Sequence, residues 1–353
     1  MPGKRFVMAG GGTGGHIIPG LAVARELRSR GHEVVFVGTE RGLESKLVPA
    51  EGFTLEKISI GGLNRVGLRQ KAATLVQLPL ATLRCRKFVR PAAAVFSMGG
   101  YVAGPPVMAA LLSGRPVVVM EPNAVPGFTN RVISRFVSRA LINFPDTASF
   151  FPHADLTGVP VREEFFRIPA KPRGEVLNLL ITGGSQGALN LNIAAEQLWS
   201  QFMQNRIPVR ILHQAGKARA EAISSRFEHT GLAGEVVPFI TDMPAAFAEA
   251  DLVISRSGAS TVSELAAAGR PSILVPYPYA ADDHQTRNAE AMERSGAARM
   301  VRDADLDGTK LFALIQELTS TDALERMGRA ARQFARPGAA SRAACILEEV
   351  ACS

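Results

Sequence analysis

The sequence contains few cysteines and no long apolar run. Among its 353 residues the three cysteines, Cys85, Cys345 and Cys352, lie far apart and form no CxxC pair. So sparse a set predicts free thiols in a reducing cytoplasm. No 18 apolar residues run together, so no membrane-spanning helix is expected, and the start of the chain is too short in apolar residues for a signal-peptide core. We therefore expect a protein that is soluble or lies on a membrane surface.

Acidic residues are scarce in the first half. Residues 1–160 contain 19 Lys and Arg against 9 Asp and Glu, whereas the rest contains 21 against 23. The segment Arg65–Arg90 has no acidic residue, and its seven basic residues are interleaved with leucines, with Pro79 interrupting the run. Such a segment is typical of contact with an anionic membrane, and a solvated basic face is the alternative. Nucleic acid is disfavoured because Phe88 is the single aromatic residue available for stacking.

A glycine-rich loop organises the first half. The segment GGGTGGH at 10–16 follows an apolar run and precedes a helical pattern at 17–27. Glycines let backbone N–H groups approach a ligand closely, and the start of a helix attracts an anion or a polar sugar. His16 is the titratable group of this loop and ionises near neutral pH. It is predicted to be exposed and functional, with helix capping or gap filling as the alternative.

Strands and helices alternate along the chain. Apolar runs predict strands at 33–38, 53–60, 93–97 and 116–120, and a helix is predicted at 41–51. After a boundary near 158–174 the pattern restarts with a strand at 177–182, the loop GGSQG at 183–187 and a helix from Ala188. Further strands are predicted at 209–213, 235–239, 252–255 and 272–276. This alternation predicts two doubly wound α/β domains, with parallel sheets facing an interdomain cleft.

A loop of small residues in the second half is another candidate site. It runs from Arg256 to Ala259 and leads into a helix, with Glu264 about one turn in. N–H groups and hydroxyls at a helix start suit a diphosphate, and a carboxylate suits a ribose diol. Alternatively, Glu264 merely balances the helix dipole.

The sequence matches neither of two common nucleotide-binding motifs in full. Gly10, Gly12 and Gly15 fit the dinucleotide fingerprint, but Gly38 stands where its acidic residue belongs. No GxxxxGK[ST] string is present, which excludes a P-loop nucleotidase.

Two further patterns have weaker claims. The GxSxG spacing around Ser185 fits a hydrolase nucleophile, and Asp251 or Asp282 with His284 could complete a triad. That interpretation leaves the N-terminal half unexplained. The DAD string at 303–305 is better explained by helix capping than by a metal.

Together the motifs resemble a known family. GGTGGH at 11–16, MGGYVAGP at 98–105, EPN at 121–123, GGSQGA at 183–188, RSGA at 256–259 with Glu264, and DHQTRNA at 283–289 are similar to the motifs of the bacterial MurG family. The similarity extends over essentially the whole chain. It implies an inverting GT-B glycosyltransferase that moves GlcNAc from UDP-GlcNAc to the C4 hydroxyl of MurNAc in lipid I (undecaprenyl-diphospho-MurNAc-pentapeptide), giving lipid II for peptidoglycan.

The resemblance also implies a division of labour. Residues 1–160 would receive lipid I and touch the membrane, with a C-terminal helix at 341–353 packing back on them, and residues 161–340 would bind UDP-GlcNAc. No cofactor or metal site is implied as required, although a divalent cation could stimulate. The implied location is the cytoplasmic face of the inner membrane, where the Arg65–Arg90 region meets anionic lipid and other cell-wall synthesis proteins are possible partners.

The family motifs assign roles by position. The implied catalytic residues are His16 as base, Tyr101, Asn123 and Glu264. Ile240 and Met243 would flank the uracil, residues 259–263 would surround the diphosphate, and the N-terminal members would also line the acceptor side. The full UDP-GlcNAc set is Thr13, Gly14, Gly15, Asn123, Arg162, Ser185, Ile240, Met243, Ala259, Ser260, Thr261, Val262, Ser263, Glu264, His284 and Gln285.

Two positions depart from the family pattern, and two other functions stay open. MEPN at 120–123 stands where HEQN is common, and Val159 replaces a frequent Asn. Pro122 removes an amide donor, which leaves the geometry near Asn123 open. A related glycolipid synthase acting on diacylglycerol is the second hypothesis. A catalytically silent scaffold is the third, disfavoured because an idle cleft needs no such set of loop residues.

Overall fold

The computed structural model describes residues 3–11, 14–40, 42–61, 68–172 and 174–352, and the backbone alone of 68–76. Thr13, and Arg65 at the start of the predicted membrane segment, lie outside the described residues. The chain divides into two compact units, Met1–Pro160 with Gly338–Ser353, and Val161–Pro337. The second unit ends at Pro337, three residues before the predicted boundary.

The first unit is built on a parallel sheet. Its described strands are β1 (Arg5–Ala9), β2 (Glu33–Gly38), β3 (Thr54–Lys57), β4 (Ala94–Ser97), β5 (Val117–Glu121), β6 (Arg139–Ile142) and β7 (Ala154–Leu156). They lie in the order β3-β2-β1-β4-β5-β6-β7. Its helices up to Pro160 are α1 (Gly14–Ser29), α2 (Glu44–Ala50), α3 (Leu68–Val89), α4 (Gly104–Leu112) and α5 (Phe128–Ile133).

The central strands of this sheet are mostly apolar because both faces are covered. In β1, Phe6 and Met8 belong to a core shared with Leu27 of α1. The alternating residues Val7 and Ala9 belong to a second core on the other face. A strand buried on both faces reads as an unbroken apolar run, which is why these strands are visible in the sequence.

The second unit repeats this plan. Its described strands are β8 (Leu177–Thr182), β9 (Val209–Gln214), β10 (Ala233–Val237), β11 (Leu252–Ser255), β12 (Ser272–Leu274) and β13 (Ala298–Met300). They are parallel, in the order β10-β9-β8-β11-β12-β13. Its helices are α6 (Glu163–Phe166), α7 (Leu189–Asn205), α8 (Ala220–Glu228), α9 (Met243–Glu249), α10 (Ala259–Ala268), α11 (His284–Arg294), α12 (Gly308–Thr319) and α13 (Ala323–Phe334).

The last helix, α14 (Ala339–Val350), belongs to the first unit. Ala343 and Leu347 are fully buried in the core that contains Leu27. Arg30 reinforces the contact by bonding both Glu348, at 2.8 Å, and the Ser341 hydroxyl, at 2.7 Å. The chain end therefore completes the N-terminal core.

Two local predictions are wrong. Pro79 lies inside the continuous helix α3, where the Thr82 hydroxyl donates to the Leu78 carbonyl at 2.8 Å. The DAD string forms a short 3₁₀ turn, and the cap of α12 is Asp307, which accepts from the Lys310 N–H. Asp303 is instead paired with Arg256.

The remaining structural predictions can be compared directly. The strands predicted at 33–38, 177–182 and 252–255 are confirmed to the residue. Cys85, Cys345 and Cys352 are free thiols as predicted, and burial raises the pKa of Cys85 to about 12. No described helix has both the length and the apolar character needed to cross a bilayer.

Candidate active site

The sequence motifs stand where doubly wound sheets bind ligands. In each unit, successive connections run outward from the first strand to opposite edges, so the switch points lie between β1 and β4 and between β8 and β11. The 10–16 loop follows β1 and Gly99-Gly100 follows β4, while GGSQG follows β8 and 256–259 follows β11. Ligands of this fold class bind outside the carboxyl ends of strands at such points.

His16 is held against the loop that follows β4. It is the third residue of α1 and is half-buried, not exposed as predicted. Its Nδ1 lies 2.7 Å from the Met98 carbonyl, which can only accept, so Nδ1 carries the proton. Gly100, beside the ring, has a φ of +78°, which favours glycine at this position. In the neutral ring, Nε2 is then the basic nitrogen.

Tyr101 directly follows this group, and Asn123 lies after the next strand, β5. Tyr101 opens a 3₁₀ turn directly after Gly100, with its side chain 38% exposed. Asn123 is fixed by Glu121, whose Oε1 accepts from its backbone N–H at 3.0 Å and its side-chain amide at 3.1 Å. His16 and Tyr101 thus lie at the switch point, whereas Asn123 lies in the loop after the neighbouring strand β5.

Glu121, part of the EPN motif, organises this site, although no role was predicted for it from the sequence. Its second oxygen accepts from Gly127 N–H at 3.0 Å and Asn130 Nδ2 at 2.9 Å. Burial raises the pKa of Glu121, while these donors and those of Asn123 act the other way. The Pro122 carbonyl accepts from Asn143, so the loop is well bonded despite the missing amide. A carboxylate at the end of β5 therefore shapes the acceptor-side loop.

The packing of Glu44 explains why position 38 holds a glycine and not the acidic residue of the dinucleotide fingerprint. Its side chain is fully buried, and Oε1 accepts from both the N–H and the hydroxyl of Thr39. A Cβ on Gly11 or Gly38 would approach the Glu44 side chain within 2.4 to 2.6 Å. The acid beside the glycine loop thus comes from α2 rather than from the end of β2. In the sequence, only the number of residues between Glu44 and these glycines could have indicated this contact.

In the second unit, the GGSQG loop leaves Ser185 exposed beyond β8. Gly184 and Gly187 both have positive φ, and a Cβ on Gly187 would lie 2.1 Å from the Ala215 carbonyl oxygen. Glycine is therefore required at 187 by both conformation and space. The loop presents Ser185 at the switch point.

The start of α10 forms the other side of this switch point. Gly258 precedes the helix, and Ala259, Ser260 and Thr261 keep part of their surface accessible in its first turn. The positive end of the helix dipole favours an anion here. By contrast, the side chains of Val262 and Ser263 are buried, so these two predicted contacts would not be made through exposed side chains.

Glu264 combines partial burial with a neighbouring cation. Burial raises its pKa to about 7, and the positive charge of Arg162 opposes that rise. The Arg162 guanidinium stacks over Phe165 at 5.1 Å from the ring centre, which fixes its position. Glu264 lies beyond the first turn of α10, so simple dipole balancing is a poor account of it. It is suited to accept hydrogen bonds from a diol when ionised.

Gln285 and His284 begin α11 close to the α10 loop. The Gln285 Oε1 accepts from the Tyr277 N–H at 3.0 Å, and its carbonyl accepts from the Ser257 hydroxyl at 2.8 Å. His284 Nδ1 donates to the Ala281 carbonyl. Asp282 and Asp283 just before it both have left-handed backbones. Consecutive strained residues of this kind are concentrated at functional sites.

Arg256 supports this region and was not predicted as a site residue. It donates to the carbonyls of Val275 and Pro276 at 3.2 and 3.0 Å and pairs with the nearly buried Asp303. These bonds fix the chain just before Tyr277, which in turn holds Gln285. Arg256 therefore positions the segment that carries Tyr277.

Ile240 and Met243 lie after β10. Ile240 is largely buried, and Met243 is the first residue of α9. Ile240 and Phe239 line a cavity of about 380 Å³ whose other walls come from α9 and the strands β8, β9 and β10. Neither Ser185 nor Glu264 lines it, so its bulk lies away from the switch point.

The hydrolase interpretation gains no support. Asp251 directly precedes β11 and is bonded to Asn178 and Lys171, at the amino ends of the strands, whereas Ser185 lies at their carboxyl ends. The Nδ1 of His284 is occupied by a carbonyl rather than a carboxylate. Nowhere in the described parts of the chain do three His, Cys, Asp or Glu side chains gather to form a possible metal site.

Comparison with known proteins identifies the family. Residues 6–142 match the glycosyltransferase family 28 N-terminal domain, and residues 178–343 match the family 28 C-terminal domain. The chain belongs to glycosyltransferase family 28. This membership confirms the predicted enzyme class and the resemblance seen in the motifs.

Individual family members are similar to this chain over nearly its whole length. A protein of Solibacter usitatus is 67% identical over 348 residues, covering 98% of this chain and 96% of its own. One from Halorhodospira halophila is 44% identical, covering 99% of each. Both are named UDP-N-acetylglucosamine--N-acetylmuramyl-(pentapeptide) pyrophosphoryl-undecaprenol N-acetylglucosamine transferase. The crystal structure of Acinetobacter baumannii MurG is 35% identical with a TM-score of 0.83, covering 98% of this chain and 99% of its own. The predicted GT-B fold with two doubly wound sheets is confirmed.

Proposed function

We propose that this chain transfers GlcNAc from UDP-GlcNAc to the C4 hydroxyl of MurNAc in lipid I, with inversion, to give lipid II and UDP. The observation that carries the proposal is the 67% identity, along 98% of the chain, with a relative named for this transfer. The geometry supports it, because each unit presents two of its family motifs at the switch point of its own sheet: those after β1 and β4 in the first unit, and those after β8 and β11 in the second.

The second unit is the proposed donor site. Glu264 accepts from the ribose hydroxyls, while Ser185 and the start of α10 bind the diphosphate, with Arg162 adding positive charge. Ile240 and Met243 flank the uracil. Gln285, held through its Oε1 by Tyr277, and His284 contact the sugar hydroxyls.

The first unit is the proposed acceptor site, with His16 as the base. The MurNAc C4 oxygen attacks the anomeric carbon of GlcNAc as the bond to the UDP oxygen breaks. The hydroxyl proton passes to His16 Nε2, the basic nitrogen when Nδ1 donates to Met98. Tyr101 and Asn123 orient the acceptor sugar. The negative charge on departing UDP is stabilised by helix-start N–H groups and Arg162.

No cofactor is required in this proposal, because the helix dipole and Arg162 already offset the charge of the leaving group. Transfer is expected to persist in EDTA, with a divalent cation at most increasing the rate. The check is the initial rate before and after chelation. Loss of transfer in EDTA that magnesium restores would contradict this part of the proposal.

The proposed membrane contact lies on α3 and on α4, which packs against α3. Leu80 and Leu83 are 54% and 60% exposed, and Leu112 of α4 is 64% exposed. Arg84 and Lys87 are exposed on α3, and Arg90 is exposed directly after it. Exposed leucines beside acid-free basic residues suit an anionic lipid surface. We place the protein peripherally on the cytoplasmic face of the inner membrane, within reach of lipid I and other cell-wall synthesis proteins.

The decisive experiment supplies radiolabelled UDP-GlcNAc with a short-chain lipid I analogue. The expected product is a labelled GlcNAc–MurNAc disaccharide lipid. Parallel reactions with diacylglycerol test the glycolipid-synthase hypothesis, which predicts transfer without a muramoyl acceptor. UDP-GlcNAc binding without transfer to either acceptor would favour the silent scaffold.

A further inference from the structure

The Gln214 side chain connects two loops that face the proposed donor. Gln214 is the last residue of β9 and is 1% exposed. Its strand lies between β8 and β10 in the sheet. The loops that follow those two strands contain Ser185 on one side and Ile240 on the other.

Both ends of the amide are used. The Nε2 atom donates to the Gly184 carbonyl at 2.8 Å and to the Thr182 hydroxyl at 3.2 Å. The Oε1 atom accepts from the Ile240 N–H at 2.8 Å. One planar group thus sets the spacing between a loop placed for the diphosphate and a segment placed for the base. No residue with a single donor or acceptor could do the same.

The backbone around Gln214 strengthens this coupling. Gly216, two residues on, has positive φ, and a Cβ there would lie 2.5 Å from the Gln186 carbonyl oxygen. A Cβ on Gly187 would lie still closer, 2.1 Å, to the Ala215 carbonyl oxygen. The GGSQG loop is therefore packed directly on the chain that carries Gln214, so any shift of the glutamine is transmitted to Ser185.

We propose that Gln214 is a positioning residue that fixes the distance between the uracil and diphosphate subsites and so selects a nucleoside diphosphate sugar of that length. The inference rests on the proposed donor site. Gln214 itself does not touch the donor; it acts through Gly184 and Ile240.

The test compares Gln214→Met, which removes all three bonds at similar volume, with Gln214→Glu, which keeps an acceptor for Ile240 but loses the donor. Calorimetry gives the Kd for UDP-GlcNAc and for uridine. We expect both variants to weaken UDP-GlcNAc binding by roughly tenfold or more, with a smaller effect on uridine and little change in kcat. Gln197→Met is the matched control, since within the described part of the chain its amide bonds only the Gly308 N–H, and the Kd of this variant is expected to be unchanged.

A second readout separates positioning from simple stability. If Gln214 acts through the GGSQG loop, its substitution should matter much less once Ser185→Ala has removed the serine contact, so the two effects are not additive. A merely structural role would lower Tm and leave Kd unchanged well below Tm. If Gln214→Met does not fold, Gln214→Glu carries the same comparison.

The outcomes distinguish this inference from the function beneath it. Wild-type protein that fails to bind UDP-GlcNAc overturns the proposed function. Wild-type binding with Gln214 variants that bind equally well, or effects fully additive with Ser185→Ala, overturns the positioning role alone.

Discussion

At Glu264 two effects on the pKa compete, and their balance makes donor binding sensitive to pH. Burial raises the pKa to about 7, while Arg162 lowers it. Below pH 7 the free enzyme holds a neutral acid, and above it a carboxylate that can accept from both ribose hydroxyls. Because binding favours the carboxylate, affinity for UDP-GlcNAc should fall as pH decreases through 7. Between pH 8 and 6 we expect about a tenfold rise in Kd, measured by calorimetry.

Glu264→Gln is the control for that prediction. It cannot ionise, so its Kd should be high and nearly independent of pH across this range. It should also be more stable than the wild type at pH 8, because the fold disfavours the buried charge. A wild-type Kd that stays flat from pH 6 to 8 would rule out Glu264 as the titrating ribose acceptor.

His16 carries the second prediction at this scale. His16→Ala should lower kcat by roughly 10² to 10⁴, the range of a lost general base, with the Kd for UDP-GlcNAc unchanged. His229 is a matched control, because its Nδ1 also lies against a backbone carbonyl, that of Ser225, but directly after α8 and outside both switch points. His229→Ala should retain full kcat. Near-normal turnover of His16→Ala would exclude it as the base.

Among the structural elements, the GGSQG loop makes the strictest demand on its sequence. Ala at 187 meets positive φ and the Ala215 carbonyl, whereas Gly231 has positive φ of 70° with nothing within 4 Å of a Cβ. Gly231→Ala should cost about 1 kcal/mol of unfolding free energy and leave UDP-GlcNAc binding intact. Gly187→Ala should cost more and weaken binding over tenfold, measured by urea unfolding and calorimetry. Equal stability and affinity in the two variants would disprove the steric argument.

The elements best predicted from the sequence are those whose environment is simplest. β2, β8 and β11 are buried on both faces, and their apolar runs gave their exact limits. The strands β6, β7 and β13 were not predicted, since they are three or four residues long and their runs are mixed with polar residues. β10 was placed at 235–239 but spans Ala233–Val237, because backbone pairing with β9 includes Gly234.

The candidate site divides in the same way. His16, Ser185 and Glu264 stand in loops or helix starts marked by glycine and small residues, and those marks are local. Gln214 is far in sequence from Gly184, Glu44 is far from Gly11, against which it packs, and Glu121 acts through bonds to Gly127 and Asn130. A buried polar residue has no pattern of its own. Its role becomes visible only when the fold supplies its partners.

The whole molecule contains separate hydrophobic cores in its two units, and α14 closes the core of the first. Leu347 is fully buried there, and Leu318 of α12 is 2% exposed in the core of the second unit. Leu347→Ala and Leu318→Ala remove the same atoms, so each should cost about 2–5 kcal/mol in its own unit.

Calorimetric unfolding then tests whether UDP-GlcNAc binds to the second unit, as proposed. A saturating donor stabilises the unit that binds it by about 2.7 kcal/mol at a hundredfold excess over Kd. UDP-GlcNAc should therefore raise the transition that Leu318→Ala lowers, and leave the one that Leu347→Ala lowers in place. If UDP-GlcNAc instead raised the transition lowered by Leu347→Ala, the donor would belong to the first unit. A single transition lowered equally by both substitutions would show that the two cores unfold as one cooperative unit.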